Sequence, residues 1–242
     1  MTDRPLVGIL LDYEAAGSFS SRPHYALRCA YFDAVLKAGG LPVALPYLEE
    51  ARTDYLERCD GLIVPGGFYP FPSALYGREP ESGEATHPRY VFEAGLTRAA
   101  LDQDLPLFGI CAGLQVIAAE IGGTLYADVH EEPGTDIDHL NGRPAEEAAH
   151  DVAVTPGSLL HRITGTERLA VNTAHREALR AAPDGVVVNA IAPDGIIEGI
   201  ELPDRRFCLG VQWHPEFFLD DGSPHLALFR AFVQAAADHR GG

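Results

Sequence analysis

One cysteine in the chain stands where the sequence predicts a sharp turn from a buried strand into a helix. Cys111 lies in the segment F-G-I-C-A-G-L-Q (108–115), with Gly109 and Gly113 two residues to either side. This pattern is a nucleophile elbow, in which a β-carbon at either glycine would clash because the turn is so tight. The elbow would expose the sulfur at the carboxyl end of the sheet, and the helix N-terminus would favour its thiolate. The pattern therefore predicts a cysteine nucleophile.

A histidine and a carboxylate follow another predicted strand, much further along the chain. The segment G-V-Q-W-H-P-E (210–216) ends in His214, Pro215 and Glu216. A thiolate nucleophile needs a base, and the base needs a partner that orients its ring. Pro215 favours an extended backbone at His214, so the side chains of His214 and Glu216 would project to the same side. We therefore predict that Cys111, His214 and Glu216 form a catalytic triad.

Two backbone N–H groups are candidates for stabilising an oxyanion at this centre. The glycines Gly66 and Gly67 follow a predicted strand, and a bare backbone lets an N–H approach a ligand closely. We take the Gly67 N–H as one donor and the Ala112 N–H, at the start of the helix, as the other. The alternative for the two glycines is an ordinary turn at the end of a strand.

The first half of the chain alternates apolar runs with segments of helical spacing. Strands are predicted over 6–11, 41–45, 61–64 and 105–110, and helices over 25–38, 51–58, 88–102 and 113–121. A loop rich in aromatic residues, Pro and Gly is expected over 68–83. This alternation indicates an α/β fold with a parallel sheet covered by helices on both faces.

The second half has a different pattern. Residues 128–150 are polar and acidic and predict a long loop. Short strands follow over 152–155, 169–172, 186–191, 196–201 and 207–213, with P-D-G (193–195) as a hairpin turn. A last helix starts at Ser223, with Pro224 in its first turn, and runs to about Asp238. We predict a small antiparallel extension of the sheet and a single domain over 1–242.

Composition narrows the classes of partner. The 242 residues are 46% apolar, enough for a sizeable core, and carry 35 acidic against 18 basic side chains, for a formal charge of −17. Nucleic acids and anionic membranes both require a positive face. No run approaches the ~20 apolar residues of a membrane span, and no basic segment followed by an apolar run begins the chain. We expect a cytoplasmic protein that binds neither nucleic acid nor membrane.

The other cysteines and the acidic loop are the candidates for a metal site. Cys29, Cys59 and Cys208 form no C-x-x-C pair and are expected to be small buried hydrophobes. A metal-dependent hydrolase is an alternative, but its ligands would come from one loop without the H-E-x-x-H spacing of a helix. A solvated loop is the favoured interpretation, and no metal or cofactor is predicted. The loop candidates are His130, Glu131, Asp136, Asp138 and His139.

Together these motifs resemble the class I glutamine amidotransferase domain, and most of all its free-standing gamma-glutamyl-gamma-aminobutyrate hydrolase branch. The resemblance runs from about Leu6 to Phe217 and rests first on the elbow, P-G-G (65–67) and W-H-P-E (213–216). Further matching stretches are A-L-Y-G (74–77), G-G-T-L-Y (122–126), V-N (171–172), His175, and A-P-D-G (192–195) with I-E (197–198).

The resemblance implies a Cys-His-Glu triad on a flavodoxin-like sheet and hydrolysis of a gamma-glutamyl amide. The Cys111 thiolate would attack the amide, an oxyanion would form between two backbone N–H groups, and His214 would protonate the leaving amine. Water would then release glutamate from the thioester, without metal or cofactor. Gln115 and His175 would lie at the substrate pocket. The expected partner is a small gamma-glutamyl amide, and the sequence leaves room for a homodimer.

The chain departs from the family pattern at three places. Ala112 stands where the family usually has Arg, F-Y-P-F-P (68–72) replaces an acidic loop, and H-R-E (175–177) replaces paired histidines. All three could lie at the substrate end, and an aromatic loop would suit a larger or more apolar amine. Arg22, Arg89 and Glu93 could bind the charged ends of a glutamyl group, although a plain surface charge is the favoured interpretation of each.

Two other functions remain open from the sequence. The chain could be a glutaminase subunit that passes ammonia to a synthase, because it carries no G-x-x-x-x-G-K-[ST] loop with which to drive an amination itself. It could also be a non-catalytic binding protein on the same fold. Copurification with a synthase would favour the first alternative, and absence of rapid labelling at Cys111 would favour the second.

Overall fold

The computed structural model describes residues 4–17, 19–80 and 86–241. Its strands are β1 (Leu6–Leu10), β2 (Asp12–Glu14), β3 (His24–Ala26), β4 (Leu41–Leu45), β5 (Gly61–Val64), β6 (Leu107–Ile110), β7 (Thr124–Tyr126), β8 (His150–Val154), β9 (Arg168–Val171), β10 (Ala178–Ala181), β11 (Val187–Ile191), β12 (Ile197–Glu201) and β13 (Cys208–Val211). Its α-helices are α1 (Cys29–Lys37), α2 (Arg52–Arg58), α3 (Pro88–Asp102), α4 (Ala112–Glu120), α5 (Leu159–Thr164) and α6 (Pro224–Arg240).

Parallel strands form the centre of the main sheet. The strand order is β4-β1-β5-β6-β13-β12-β11-β8-β9, parallel from β4 to β13 and antiparallel beyond it. Strand β10 pairs with both β12 and β7, while β2 and β3 form a separate antiparallel pair. The five parallel strands follow the 2-1-3-4-5 order of flavodoxin-like sheets. The predicted α/β class and the antiparallel extension are confirmed.

The central parallel strands are buried on both faces, whereas β4 at the edge of the sheet is largely exposed. Val7 and Ile9 of β1 pack into one apolar cluster together with helices α1, α5 and α6. Leu62 and Val64 of β5 point the other way, into a second cluster that contains residues of α2, α3 and α4. Successive side chains of a strand project to opposite faces, so a strand covered on both sides must be apolar throughout. The continuous apolar runs in the sequence have this cause.

The start of the first helix was predicted wrongly. The spacing of apolar residues predicts a helix from Tyr25, but that residue lies in β3 and pairs with Tyr13 of β2. Helix α1 begins only at Cys29, after Arg28 in an extended conformation. Cys29 is exposed, so the expectation that it is buried was also wrong, whereas Cys59 and Cys208 are buried as expected.

Short elements in the second half escaped prediction. Helix α5 and strands β7 and β10 were not predicted, because each offers six residues or fewer for a periodic pattern. The long loop is confirmed up to the start of β8 at His150. The predicted hairpin turn is confirmed as well, since Gly195 takes a positive φ of 87° between the antiparallel strands β11 and β12.

Some sequence predictions fall on residues outside the described ranges. Residues 81–83 of the aromatic loop and residues 1–3 of the segment inspected for a signal peptide belong there. Within the described ranges, every helix is too short or too polar to cross a bilayer.

Candidate active site

Cys111 occupies a strained turn between β6 and α4. Its backbone has φ 52° and ψ −109°, a conformation rarely adopted by residues other than glycine. A β-carbon on Gly113 would lie 1.9 Å from the Val64 carbonyl oxygen, and one on Gly109 would lie 2.6 Å from the Gly113 oxygen. Both clashes are with backbone, which side-chain movement cannot relieve. The flanking glycines are therefore required where the helix start crosses the end of β5, as the elbow pattern predicted.

The structure brings the three predicted triad residues together in a buried group. Residues 111 and 214 follow the neighbouring strands β6 and β13, and the Cys111 N–H donates to the Val211 carbonyl at 2.8 Å. The Nδ1 atom of His214 lies 2.8 Å from Glu216 Oε1, and His214 and Cys111 are close enough to interact, since both lie against Gly66. All three are at most 4% exposed.

The charge of His214 is set by its two partners. Burial acts against protonation of the ring, but the Glu216 carboxylate and then Cys111 outweigh it and raise the pKa of His214 to about 10. The histidine is therefore an imidazolium at neutral pH. An imidazolium beside a sulfur stabilises the thiolate form, which is the nucleophilic form of cysteine. The arrangement is suited to attack on a carbonyl followed by protonation of a leaving group.

Asn172 positions the backbone of the histidine. The His214 N–H donates to Asn172 Oδ1 at 2.8 Å, and Asn172 Nδ2 donates to the His214 carbonyl at 3.1 Å. The same Nδ2 also donates to the Ala145 carbonyl in the long loop at 2.6 Å. From the sequence, the V-N pair (171–172) is only one of the stretches that resemble the family. The two hydrogen bonds between Asn172 and the His214 backbone join segments that are distant in sequence, and no local pattern reveals them.

The two glycines after β5 have different roles in the structure. Gly66 lies against the triad: a β-carbon there would lie 2.6 Å from His214 Cε1 and 3.2 Å from Cys111 Cβ. Its N–H donates to the Tyr31 hydroxyl at 2.9 Å. Among the described residues, the Gly67 N–H has no hydrogen-bond acceptor, and the N–H of Ala112, as the first of α4, has none within the helix. These two N–H groups remain the candidate oxyanion donors.

A buried arginine holds the glycine loop in place. Arg89 Nη2 donates to the carbonyls of Pro65 at 2.9 Å and Gly66 at 3.1 Å, while its Nε donates to Glu93 Oε1 at 2.9 Å. A β-carbon on Gly67 would lie 1.9 Å from Arg89 Nη1, so only glycine fits above the guanidinium. Arg89 and Glu93 are both 0% exposed, and their interpretation as surface charges was wrong. Arg22 is exposed, as expected.

We expect Arg89→Met to lower the free energy of unfolding by about 3–5 kcal/mol, because it leaves the buried Glu93 carboxylate without its cation. Burial already raises the pKa of Glu93 despite the neighbouring guanidinium. Urea denaturation measures the loss. The control is Arg98→Met. Arg98 pairs with Glu120, but its side chain is 51% exposed, so this substitution should lower the free energy of unfolding by less than about 1 kcal/mol. Equal losses in the two variants would contradict the assigned role of Arg89.

Two aromatic side chains of the loop are buried rather than open to a substrate. Tyr69 and Phe71 are buried, and the Tyr69 hydroxyl donates to Glu93 Oε2 at 2.5 Å. Phe68, by contrast, is 59% exposed. It borders a cavity of about 390 Å³ that Gly66 and Gly67 also line. The cavity adjoins the triad at Gly66, and its charged lining residues are Asp12, Glu14 and Arg28.

The predicted substrate residues Gln115 and His175 are engaged in internal contacts. Gln115 Nε2 donates to the Glu177 carbonyl at 2.9 Å and to Gln212 Oε1 at 3.2 Å. His175 Nδ1 lies 3.1 Å from the same Glu177 carbonyl, and both side chains are buried. Their contact with a substrate remains a prediction.

The acidic loop does not assemble the metal site considered from sequence. Four of the five candidates, His130, Glu131, Asp136 and Asp138, are exposed, while His139 is fully buried. In the part of the chain that the structure describes, the group whose geometry could hold a metal ion unites His139 with His150 and Glu198. The last two stand at β8 and β12, outside the loop.

Comparison with known proteins agrees with this fold and identifies a family. The family model described as Peptidase C26 matches residues 5–216. The gamma-glutamyl-gamma-aminobutyrate hydrolase of Escherichia coli O157:H7 is 30% identical, over 98% of this chain and 95% of its own length. Protein NtpR of Enterococcus hirae is 36% identical over 84% of this chain and 87% of its own. The glutaminase domain of Trypanosoma brucei CTPS, solved with bound acivicin, superimposes with a TM-score of 0.64 at 19% identity, covering 97% and 94%.

Proposed function

The chain belongs to the Peptidase C26 family, whose glutamine amidotransferase-like members include amide hydrolases of the cysteine type, and on that premise we propose that it hydrolyses gamma-glutamyl amides. The proposed products are glutamate and an amine, as the name of the Escherichia coli relative describes for one such amide. The observation that carries the proposal is the buried contact of Cys111 with a protonated His214 held by Glu216.

The proposed reaction uses the groups of the site in two steps. The Cys111 sulfur attacks the carbonyl carbon, and the oxygen becomes an oxyanion that accepts from the N–H groups of Gly67 and Ala112. The C–N bond breaks as His214 gives its proton to the leaving amine, which leaves a gamma-glutamyl thioester. Water, deprotonated by His214, then adds to the thioester carbon and releases glutamate. The sulfur departs as the thiolate beside the re-formed imidazolium.

We place the glutamyl end of the substrate in the cavity beside Gly67. A gamma-glutamyl group carries an α-carboxylate and an α-ammonium, and each is bound best by an opposite charge. Arg28 lines the cavity and offers a guanidinium, while Asp12 and Glu14 offer carboxylates. The sequence suggested Arg22 for binding a charged end of the glutamyl group. The exposed ring of Phe68, at the same cavity, is the proposed contact for the leaving amine.

A panel of gamma-glutamyl amides tests the proposal by release of glutamate. The panel holds gamma-glutamyl conjugates of gamma-aminobutyrate, of a diamine and of an aromatic amine, together with free glutamine. We expect turnover of at least one conjugate, and the matched glutaryl amide, which lacks the α-ammonium, should react about 10–100-fold more slowly because it forgoes a charge-assisted bond.

Two outcomes would redirect the assignment. Turnover of free glutamine alone, and only when a synthase is added, would favour the glutaminase-subunit alternative. No turnover of any member would contradict a gamma-glutamyl hydrolase, and so would equal turnover of a gamma-glutamyl amide and its glutaryl control.

A further inference from the structure

A second polar cluster lies buried where the long loop meets the antiparallel part of the sheet. Glu198 of β12 stands at its centre and is 0% exposed. Its Oε1 lies 3.4 Å from His150 Nε2, 3.5 Å from His139 Nδ1 and 3.3 Å from His175 Nε2. His139 belongs to the loop, and His150 begins β8. The proposed hydrolytic reaction makes no use of these side chains.

Several polar atoms of this cluster lack hydrogen bonds among the described residues. Neither ring nitrogen of His150 makes a hydrogen bond of acceptable geometry, although Nε2 lies 3.4 Å from Glu198 Oε1 and the side chain is only 6% exposed. Glu198 Oε2 is likewise without one. A buried polar group without a partner costs about 1–3 kcal/mol, so native structures almost always supply one. A ligand for both the imidazole and the carboxylate would remove this cost.

The orientation of His139 indicates what that ligand is. Its Nε2 lies 2.9 Å from Asp194 Oδ2, and a carboxylate only accepts, so Nε2 carries the proton in the neutral ring. The Nδ1 atom then turns a lone pair toward Glu198, which also offers only lone pairs. The nearby Thr173 hydroxyl, 3.2 Å from Nδ1, gives its proton to the His139 carbonyl at 3.0 Å, so it offers Nδ1 no donor. A cation between Nδ1 and Glu198 would satisfy both acceptors. A metal-bound histidine commonly donates its other N–H to a carboxylate, as His139 does to Asp194.

We propose that His139, His150 and Glu198 bind one zinc ion. Two imidazoles and one carboxylate are ligands that Zn²⁺ accepts at about 2.0–2.2 Å, and ligand atoms around a tetrahedral ion at that distance lie roughly 3.3–3.5 Å apart. The two histidine-to-glutamate distances, 3.4 and 3.5 Å, agree with this spacing. The three ligand atoms all lie within 4.8 Å of one another. Water would complete the fourth position.

The ion would fasten the long loop to the sheet. His139 anchors the loop, whereas His150 and Glu198 belong to β8 and β12. The same loop supplies the Ala145 carbonyl that accepts from Asn172, the residue bonded to the backbone of His214. The role of the ion is therefore structural. The zinc proposal itself does not depend on the proposed hydrolase activity.

Metal binding by the full-length chain tests the proposal directly. The Cys111→Ala variant is used as the parent, because the thiolate and His214 could themselves bind Zn²⁺. After dialysis against a chelator, Zn²⁺ is titrated by calorimetry and Co²⁺ by visible absorption. We expect one ion per chain, a tetrahedral Co²⁺ spectrum and a rise in Tm of several degrees with Zn²⁺. Fewer than about 0.1 ions per chain with an unchanged Tm would overturn the proposal, since the cluster would then be held by protons alone.

Variants locate the ion and exclude a surface site. His150→Gln and Glu198→Gln should abolish stoichiometric binding, and Asp194→Asn should weaken it about 10–100-fold through His139. The matched control is His130→Gln, an exposed loop histidine near Asp138, which should leave affinity unchanged. Circular dichroism confirms that each variant is folded. Retention of full affinity in folded Glu198→Gln, or its loss in His130→Gln, would place the ion elsewhere.

Discussion

Cys111→Ala is expected to lower kcat/KM for gamma-glutamyl amides by roughly five to six orders of magnitude, because members of a triad act as a unit. The variant keeps the backbone of the elbow, so its Tm should stay close to that of the parent. Release of glutamate, followed with the best substrate of the panel, measures the loss. The matched control is Cys29→Ala, at an exposed cysteine, which should retain full activity. Turnover of Cys111→Ala within tenfold of the parent would remove the proposed nucleophile.

Alkylation of the intact chain gives an independent check on the same residue. Burial raises the pKa of Cys59 to about 11 and that of Cys208 to about 12, so both stay protonated and unreactive at neutral pH. Iodoacetamide should therefore label Cys111 well before either of them, at a rate limited by its own small exposure. Absence of rapid labelling at Cys111, together with no turnover of any gamma-glutamyl amide, would support the alternative of a non-catalytic binding protein.

Glu216→Gln is expected to lower kcat/KM by about 10³–10⁴ and to change its pH dependence. The Glu216 carboxylate is the largest favourable influence on the His214 proton, and the pKa of about 10 depends on it. The wild-type rate should fall on the alkaline side near pH 10, where His214 loses the proton that the leaving amine needs. In the variant this alkaline limb should move toward lower pH.

The free energy of unfolding should also fall as the pH rises, in the same direction as the activity. The folded-state pKa of His214 lies above the ordinary value of 6.5, so protonation favours the folded state. This stabilisation is complete below about pH 6.5 and disappears as the pH rises through 10. Urea denaturation from pH 6 to 10 should therefore show a steeper decline for the wild type than for Glu216→Gln. The control Asp151→Asn, at an exposed ion pair with Arg168, should move neither profile. An unchanged alkaline limb in Glu216→Gln would contradict the role assigned to Glu216.

The grouping of Cys111, His214 and Glu216 could be predicted from the sequence because its signals are local. The elbow is written in five consecutive residues, 109–113, and this pattern can be read locally even though Gly113 is required by contact with the Val64 carbonyl of β5. The pair His214 and Glu216 needs only two residues of extended backbone. The alternation of buried runs and helical segments fixed the α/β class in the same way, since each pattern is short and each strand is apolar on both faces.

Contacts between distant segments could not be predicted. Arg89 and Glu93 look like an ordinary surface pair at helical spacing, and only the packing of α3 beneath the Pro65–Gly67 turn buries them. Tyr25 has the spacing of a helix, yet pairing with Tyr13 draws it into a strand. The zinc-binding group unites a loop with two strands, so a search confined to the acidic loop found only His139. Tertiary contacts override local preference in each of these cases.

The pairing of β6 with β13 has a consequence for how this protein could diversify. Strands joined by a hydrogen-bonded ladder stand about 4.8 Å apart, and that spacing is among the least adjustable distances in a folded chain. Ile110 and Val211 are partners in this ladder, so Cys111 and His214, the proposed attacking and proton-donating residues, follow two strands held at a fixed spacing. The segment that connects the two strands can gain, lose or exchange loops without altering the reach between them. In the proposed hydrolysis, new amines would be accommodated by changes in these loops while the spacing of Cys111 and His214 stays the same.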